Sequence, residues 1–143
     1  IELEVLDIKL MPAPHYVRQM LTAYNSGKVL VVKKVRRHAG KPLSYYVHYT
    51  DPDLYPGITK ELTEQKTFVA TFEEVSKKKL TMLKQRIEAV VADIDLSEVL
   101  QVRFGLPLFF TENLYFTEGN KPAILTQNYY RGDKCFYKPS THL

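Results

Sequence analysis

Cysteine is nearly missing from this sequence: Cys135 stands alone among 143 residues. One thiol excludes an internal disulfide framework and any metal site built on several cysteines. It fits a reducing compartment, so a cytoplasmic location is expected. Long apolar runs are missing too. Stretches such as GLPLFF fall far short of the roughly 20 residues that a helix needs to cross a bilayer. No charged segment leads into an apolar one at the N-terminus, so neither a secretory leader nor a membrane partner is expected. The chain opens on Ile1 rather than Met, which predicts residues upstream of it. The motifs of common catalytic sites are absent: no HExxH, no GxSxG, no Walker loop, no GxGxxG. His15, His38, His48 and His142 stand at no metal-ligand spacing from one another or from Cys135. No metal, cofactor or catalytic residue is therefore expected. Charge of one sign is only slightly in excess. Lys and Arg number 20 against 16 Asp and Glu, a net charge of +4 and a pI near 9.1. The densest clusters, Lys33-Lys34 with Arg36-Arg37 and Lys77-Lys78-Lys79, are too short for a nucleic-acid arm.

What is present describes one globular domain spanning residues 1–143. Apolar residues make up 45% and charged residues 25%, proportions that support an ordinary core at this length. Residues 2–10 read as a strand, broken by Pro12 and Pro14. HYVRQMLTAY then places Val17, Met20, Leu21 and Tyr24 on one helical face, with a stop at Asn25-Ser26-Gly27. KVLVVKKVRR and PLSYYVHY read as a hairpin about the turn HAGK, and DPDLYPG as a loop. TFVATFEEVSKKK spaces Phe68, Phe72 and Val75 as a helix does. Residues 80–91 alternate and read as a strand with one buried face, although a helix fits almost as well. Asp95 with Glu98 resembles a capping box and places a helix at LSEVLQV. PLFFTENLYF and KPAILTQNYY form two more strands about the turn TEGN. Helix, Gly, strand, turn, Pro, strand, Tyr thus occurs twice, with Gly27 matching Gly105, Pro42 matching Pro122, and Tyr49 matching Tyr129 or Tyr130. This predicts an α+β fold: a central, mostly antiparallel β-sheet with flanking helices on one side, internally duplicated as helix-plus-hairpin units.

One anion site is suggested by the residues. Lys34 and Arg36 lie two apart on a strand and share a face, where an Arg fork and an ammonium suit a carboxylate or phosphate. Lys33, Val35 and Arg37 take the other face, so both faces carry charge, as on an edge strand or beside a wet cleft. Thr67 stands at the N-cap of the helix TFVATFEEV, and helix starts attract anions. Tyr45, Tyr46, Tyr49, Tyr129 and Tyr130 offer aromatic walls with polar tips.

PAPHYVRQML, GKVLVVKKVRRHAGKPLSYYVHY and DLYPG resemble the first half of a UTRA domain. KQRIEAVVAD, VLQVRFGLPLFF and GNKPAILTQNYYRGDKCFY resemble its closing half, with YRGD at Tyr130–Asp133 the most specific mark. The resemblance implies the chorismate-lyase-like fold and an effector-binding role in a GntR regulator of the HutC subfamily. It implies an N-terminal winged helix-turn-helix that is not among these residues, hence DNA as a partner through that domain. It further implies a homodimer and a small anionic metabolite that changes operator affinity. By the same resemblance Lys34, Arg36, Tyr46, Thr67 and Tyr130 bind the ligand. Val69 stands where some members have a phosphate-contacting Tyr. Tyr46 and Ile124 replace two family Glu residues, which favours an anionic ligand more apolar than an amino-sugar phosphate, or one with an aromatic part. The alternative is a lyase of the chorismate-lyase type, which would need a carboxylic acid beside an Arg-lined pocket.

Overall fold

The computed structural model describes residues 2–22 and 27–143. In chain order they form β1 (Glu2–Pro12), α1 (His15–Met20), β2 (Lys28–His38), β3 (Lys41–Thr50), a 3-10 turn (Pro52–Leu54), α2 (Lys60–Gln65), α3 (Phe68–Ser76), β4 (Leu80–Val91), α4 (Ile94–Leu100), β5 (Pro107–Thr117) and β6 (Lys121–Arg131). The six strands make one sheet in the order β1-β2-β3-β6-β5-β4. Every pairing is antiparallel. The β2–β3 hairpin closes through Ala39 and Gly40, both at positive φ (51° and 76°), as a two-residue turn matched to strand twist requires.

The strand order turns the repeat read in the sequence into a symmetry. A strand, a helix and a hairpin occur as β1-α1-β2-β3 and again as β4-α4-β5-β6. The two units meet at β3 and β6, and the lone first strand of each lies at an outer edge. Helices α2 and α3 sit between the units in sequence.

Helices cover both faces of the sheet, where the sequence suggested one. On one face, Val17 and Leu21 pack α1 against Val29, Val31, Val47, Leu114 and Leu125, and Leu100 packs α4 against Leu108. On the other, Phe68 and Phe72 of α3, with Tyr55, pack against Leu30, Val32 and Ile124. Only part of that second face is covered. The uncovered part, toward the ends of β2 and β6, is where the candidate site lies.

Several local expectations change. The helix assigned to residues 15–24 is observed as His15–Met20. Tyr24, Asn25 and Ser26 lie outside the described residues, so the stop expected there is not addressed. The short helix α2 was not legible: KELTEQ has little apolar periodicity. Thr59 caps it by accepting from the Leu62 N–H at 3.2 Å, and its Glu64 accepts from the Val5 N–H at 2.8 Å. The cap of α4 is Asp93, whose carboxylate accepts from the Leu96 N–H at 2.8 Å, and not Asp95, which falls in the first turn. Lys77 takes a left-handed conformation (φ 60°) and ends α3 there. Strand β4 has no buried face: nearly every residue from Leu80 to Val91 is exposed, because it is an edge strand that no helix covers. Strand β2, by contrast, is interior to the sheet. Its charges therefore reflect a cleft rather than an edge.

Candidate functional site

Lys34 and Arg36 project from β2 onto the partly covered face, as their two-residue spacing requires. Lys34 stands opposite Tyr46 on β3, and Arg36 opposite Ser44. Beyond them, Tyr46 pairs with Asn128 and Ser44 with Tyr130 on β6. The start of α3 overhangs this patch. Lys34, Arg36, Tyr46, Thr67 and Tyr130 thereby line one cavity of about 290 Å³. A larger hollow of about 390 Å³ beside α1 holds His15, Arg18 and Asp51 and none of these five. We take the smaller one as the candidate site, because two cationic side chains without an ion pair among the described residues converge there.

The electrostatics of that cavity favour an anion. Lys34 is 1% exposed and forms no ion pair among the described residues; its ammonium lies 5.9 Å from the centre of the Phe68 ring. Burial pulls its pKa down to about 8, partly opposed by the charge of Glu64. Arg36 Nε is buried with no hydrogen-bond partner. Thr67 caps α3 by accepting from the Ala70 N–H at 3.2 Å, and Thr67, Phe68 and Val69 present the helix start to the cavity. The first N–H groups of a helix lack intrahelical partners, so this end adds donors and the positive pole of the helix dipole.

The remaining wall is neutral and polar. His48, two residues beyond Tyr46, stacks on Phe68 at 4.2 Å between ring centres. Its Nδ1 lies 2.9 Å from Thr126 Oγ1. Burial first, and the charge of Lys34 second, hold its pKa well below the usual value, so it is neutral at pH 7. The Ser44 hydroxyl donates to the Tyr46 oxygen at 2.9 Å. Tyr130 meets Tyr46 edge-on at 6.1 Å, and burial raises its pKa to about 12. Asn128 donates from Nδ2 to Thr111 Oγ1 at 2.9 Å, while its Oδ1 is buried and unpartnered. No Asp or Glu is among the residues lining the cavity.

The five tyrosines named from the sequence are divided by the sheet. Tyr46 and Tyr130 face the cavity. Tyr45, Tyr49 and Tyr129 point to the opposite face and pack under α1 and α4, with Tyr45 and Tyr129 stacked at 6.2 Å. Val69 lines the cavity, while Ile124 is fully buried in the core beneath α3. His48, Asn113, Tyr115, Thr126 and Asn128 also line the cavity and were not singled out in the sequence. For His48, Thr126 and Asn128 the signal was there, since each lies an even number of residues from Tyr46 or Tyr130 on the same strand; Asn113 and Tyr115 are brought in only by the pairing of β5 with β6.

The UTRA domain model matches residues 1–135. Among solved structures, the C-terminal domain of the histidine utilization repressor from Pseudomonas syringae pv. tomato superposes with a TM-score of 0.89 at 18% identity, covering 99% of each chain. The ligand-binding domain of a GntR-family transcriptional regulator from Bordetella bronchiseptica gives 0.87 at 20% identity, over 99% of this chain and 90% of that one. The transcriptional regulator YydK from Bacillus subtilis gives 0.88 at 15% identity, over 99% of this chain but 61% of that one.

Proposed function

The chain belongs to the UTRA domain family, and from that premise we propose that it is the effector-sensing domain of a GntR-type regulator of the HutC subfamily. Its cavity binds a small anionic metabolite. The observation that carries the reading is the buried Lys34 ammonium, which forms no ion pair among the described residues, although the charge of Glu64 acts on it, and which faces the same cavity as the unpartnered Arg36 Nε. A charge buried without a partner costs stability, and an anionic ligand supplies the partner. The Arg36 fork and the α3 start complete a three-sided clamp. Tyr46, His48, Asn128 and Tyr130 read the rest of the molecule by hydrogen bonds and stacking.

The clamp joins β2, β3 and β6 to α3, so a bound anion holds α3 against the sheet. Ligand shifts the population only if it favours one arrangement of these parts, and α3 is the part that crosses from one repeat to the other. DNA contact belongs to a winged helix-turn-helix outside these residues. The sensing domain works as a homodimer through the bare edge of β4, where Met82, Leu83 and Val91 are exposed. A lyase reading lacks the acid it needs, because no carboxylate lines the cavity.

Calorimetric titration with phosphorylated and carboxylated metabolites tests the reading. Arg36→Ala should weaken the effector by about 1.5–3 kcal/mol, the worth of a charge-assisted hydrogen bond. An unchanged affinity removes Arg36 from the site. Turnover of chorismate by the chain would instead establish the lyase.

A further inference from the structure

Beside the anion-facing cavity, on the same sheet face, lies a second hollow of about 280 Å³, and the two share Tyr130. Its walls are largely apolar: Ile87 from β4, Phe109 from β5, and Phe136 and Tyr137 from the chain beyond β6. We propose that this annex is the second half of the effector site. The effector is then an anion joined through a hydrogen-bond donor to an aliphatic or aromatic arm, the chemistry of an N-acylated amino acid. The proposal rests on the anion-site reading above and deepens it.

The sheet register connects the two halves. Lys34, Tyr46, Asn128, Thr111 and Ile87 stand opposite one another on five successive strands. At about 4.8 Å per strand, the anion clamp on β2 and the annex wall on β5 are about 14 Å apart. A small ion cannot span that distance, whereas a ligand with an extended arm can. Asn128 sits midway along the row. It is 3% exposed, its Nδ2 is spent on Thr111, and its Oδ1 has no partner. A buried acceptor of this kind calls for a donor, which an amide N–H or a hydroxyl in the middle of the ligand supplies.

The outer wall of the annex is held in place by specific contacts, and the YRGD segment explains them. Gly132 donates its N–H to the Pro107 carbonyl at 3.0 Å, and a Cβ at position 132 would lie 2.5 Å from that oxygen. Only glycine allows this approach. Arg131 grips Asp133 through two hydrogen bonds of 3.0 and 2.8 Å, and the Cys135 N–H donates to the Arg131 carbonyl at 3.0 Å. The chain is thereby turned back at the end of β6, and Cys135, Phe136 and Tyr137 come to line the hollow. Phe136 is 81% exposed, an apolar surface that a ligand arm would cover.

The test compares N-acetylglycine, N-octanoylglycine and N-(4-phenylbutanoyl)glycine by calorimetric titration of this chain, with inorganic phosphate as a bare anion. The arm is expected to raise affinity over N-acetylglycine by at least about tenfold, from the apolar area it buries. Ile87→Asn and Phe136→Ala should cut that advantage to below about threefold, with N-acetylglycine as the internal reference. Arg36→Ala should weaken all three acylglycines alike. Equal affinities for the short and long acylglycines, with the short one and phosphate bound, would overturn the annex and leave the anion site standing. An arm advantage that survives both annex variants would also overturn it. So would a Phe136→Ala effect confined to self-association, which would make the hollow a subunit contact. Failure of every anion to bind would remove the anion site and the annex together.

Discussion

Lys34 combines two properties that oppose each other in an empty site. It is an ammonium in the interior, and it has no ion-pair partner among the described residues. Replacing it with a methionine of similar length keeps the stem and removes the charge. Lys34→Met is therefore expected to stabilise the ligand-free domain, by on the order of 1–3 kcal/mol, and to abolish the response to anions. Thermal unfolding with and without effector checks both halves, and a destabilised variant would show that the charge of Glu64 outweighs the cost of burying the ammonium. The same residue sets a pH dependence. Its pKa is lowered to about 8 by burial, and an anion bound beside it raises that value again. Below pH 8 the free protein already carries the proton, so affinity is level there. Above pH 8 the proton must be taken up on binding, so affinity falls as pH rises. Calorimetry across pH 7–10 should show this fall for the parent chain, and an affinity that stays level from pH 8 to 10 would remove Lys34 from the site. Thr67 could be named as a candidate because a hydroxyl at a helix start is a local feature, and Lys34 and Arg36 because a strand places every second side chain on one face. His48 and Asn128 obey the same rule. They were overlooked because a lone His or Asn carries no charge pattern, and their role depends on which strands become neighbours.

At the scale of elements, β4 departs most from what its residues suggest. Its alternation reads as a half-buried strand, yet both faces are exposed. Leu83, 45% exposed, and Ile87, 44% exposed, belong to the face that α3 covers elsewhere in the sheet. A long bare edge strand with apolar residues invites pairing with another strand. Leu83→Lys should weaken self-association at least about tenfold by desolvating a charge in the pairing strand. Sedimentation velocity reads this, and an unchanged circular dichroism spectrum shows the fold intact. A monomeric parent chain would sink the dimer reading. On the opposite face, β4 is tied into the interior. Arg86 reaches the buried Glu112 at 3.5 Å, and Glu112 also takes a hydrogen bond from Tyr16 of α1 and one of 3.2 Å from Gln127 of β6. One carboxylate thus joins the edge, two inner strands and the first helix. The sequence shows four separate polar residues here, and only the fold makes them one cluster.

Across the whole molecule, two strand–helix–hairpin units meet at β3 and β6, and each of these strands is paired on both edges. The lone strands β1 and β4 are each paired on one edge only. Protection from amide exchange follows the depth of burial and the number of ladders that must open. The slowest exchange is expected at residues 45–50 and 124–128, intermediate rates in β2 and β5, and the fastest in β4. Hydrogen–deuterium exchange by mass spectrometry checks the order, and an anionic effector should add protection at residues 67–70, where α3 meets the clamp. Uniform exchange across the six strands would contradict two units joined at a common seam.

By itself the sequence determined most of the elements, though not α2, and suggested candidates for half of the proposed site. Alternation, glycines at the turns and the repeated helix-plus-hairpin pattern are local consequences of backbone sterics and burial, and they survive without knowledge of neighbours. Lys34, Arg36 and Thr67 stood out because charge spacing on a strand and a hydroxyl at a helix start are also local. Tertiary structure alone decided which tyrosines share a face with them, that β4 is an edge, and that Asn128 is left with an unpaired oxygen between two hollows. Each of these depends on strand order and on what packs above the sheet, and those are set by contacts between residues far apart in the chain.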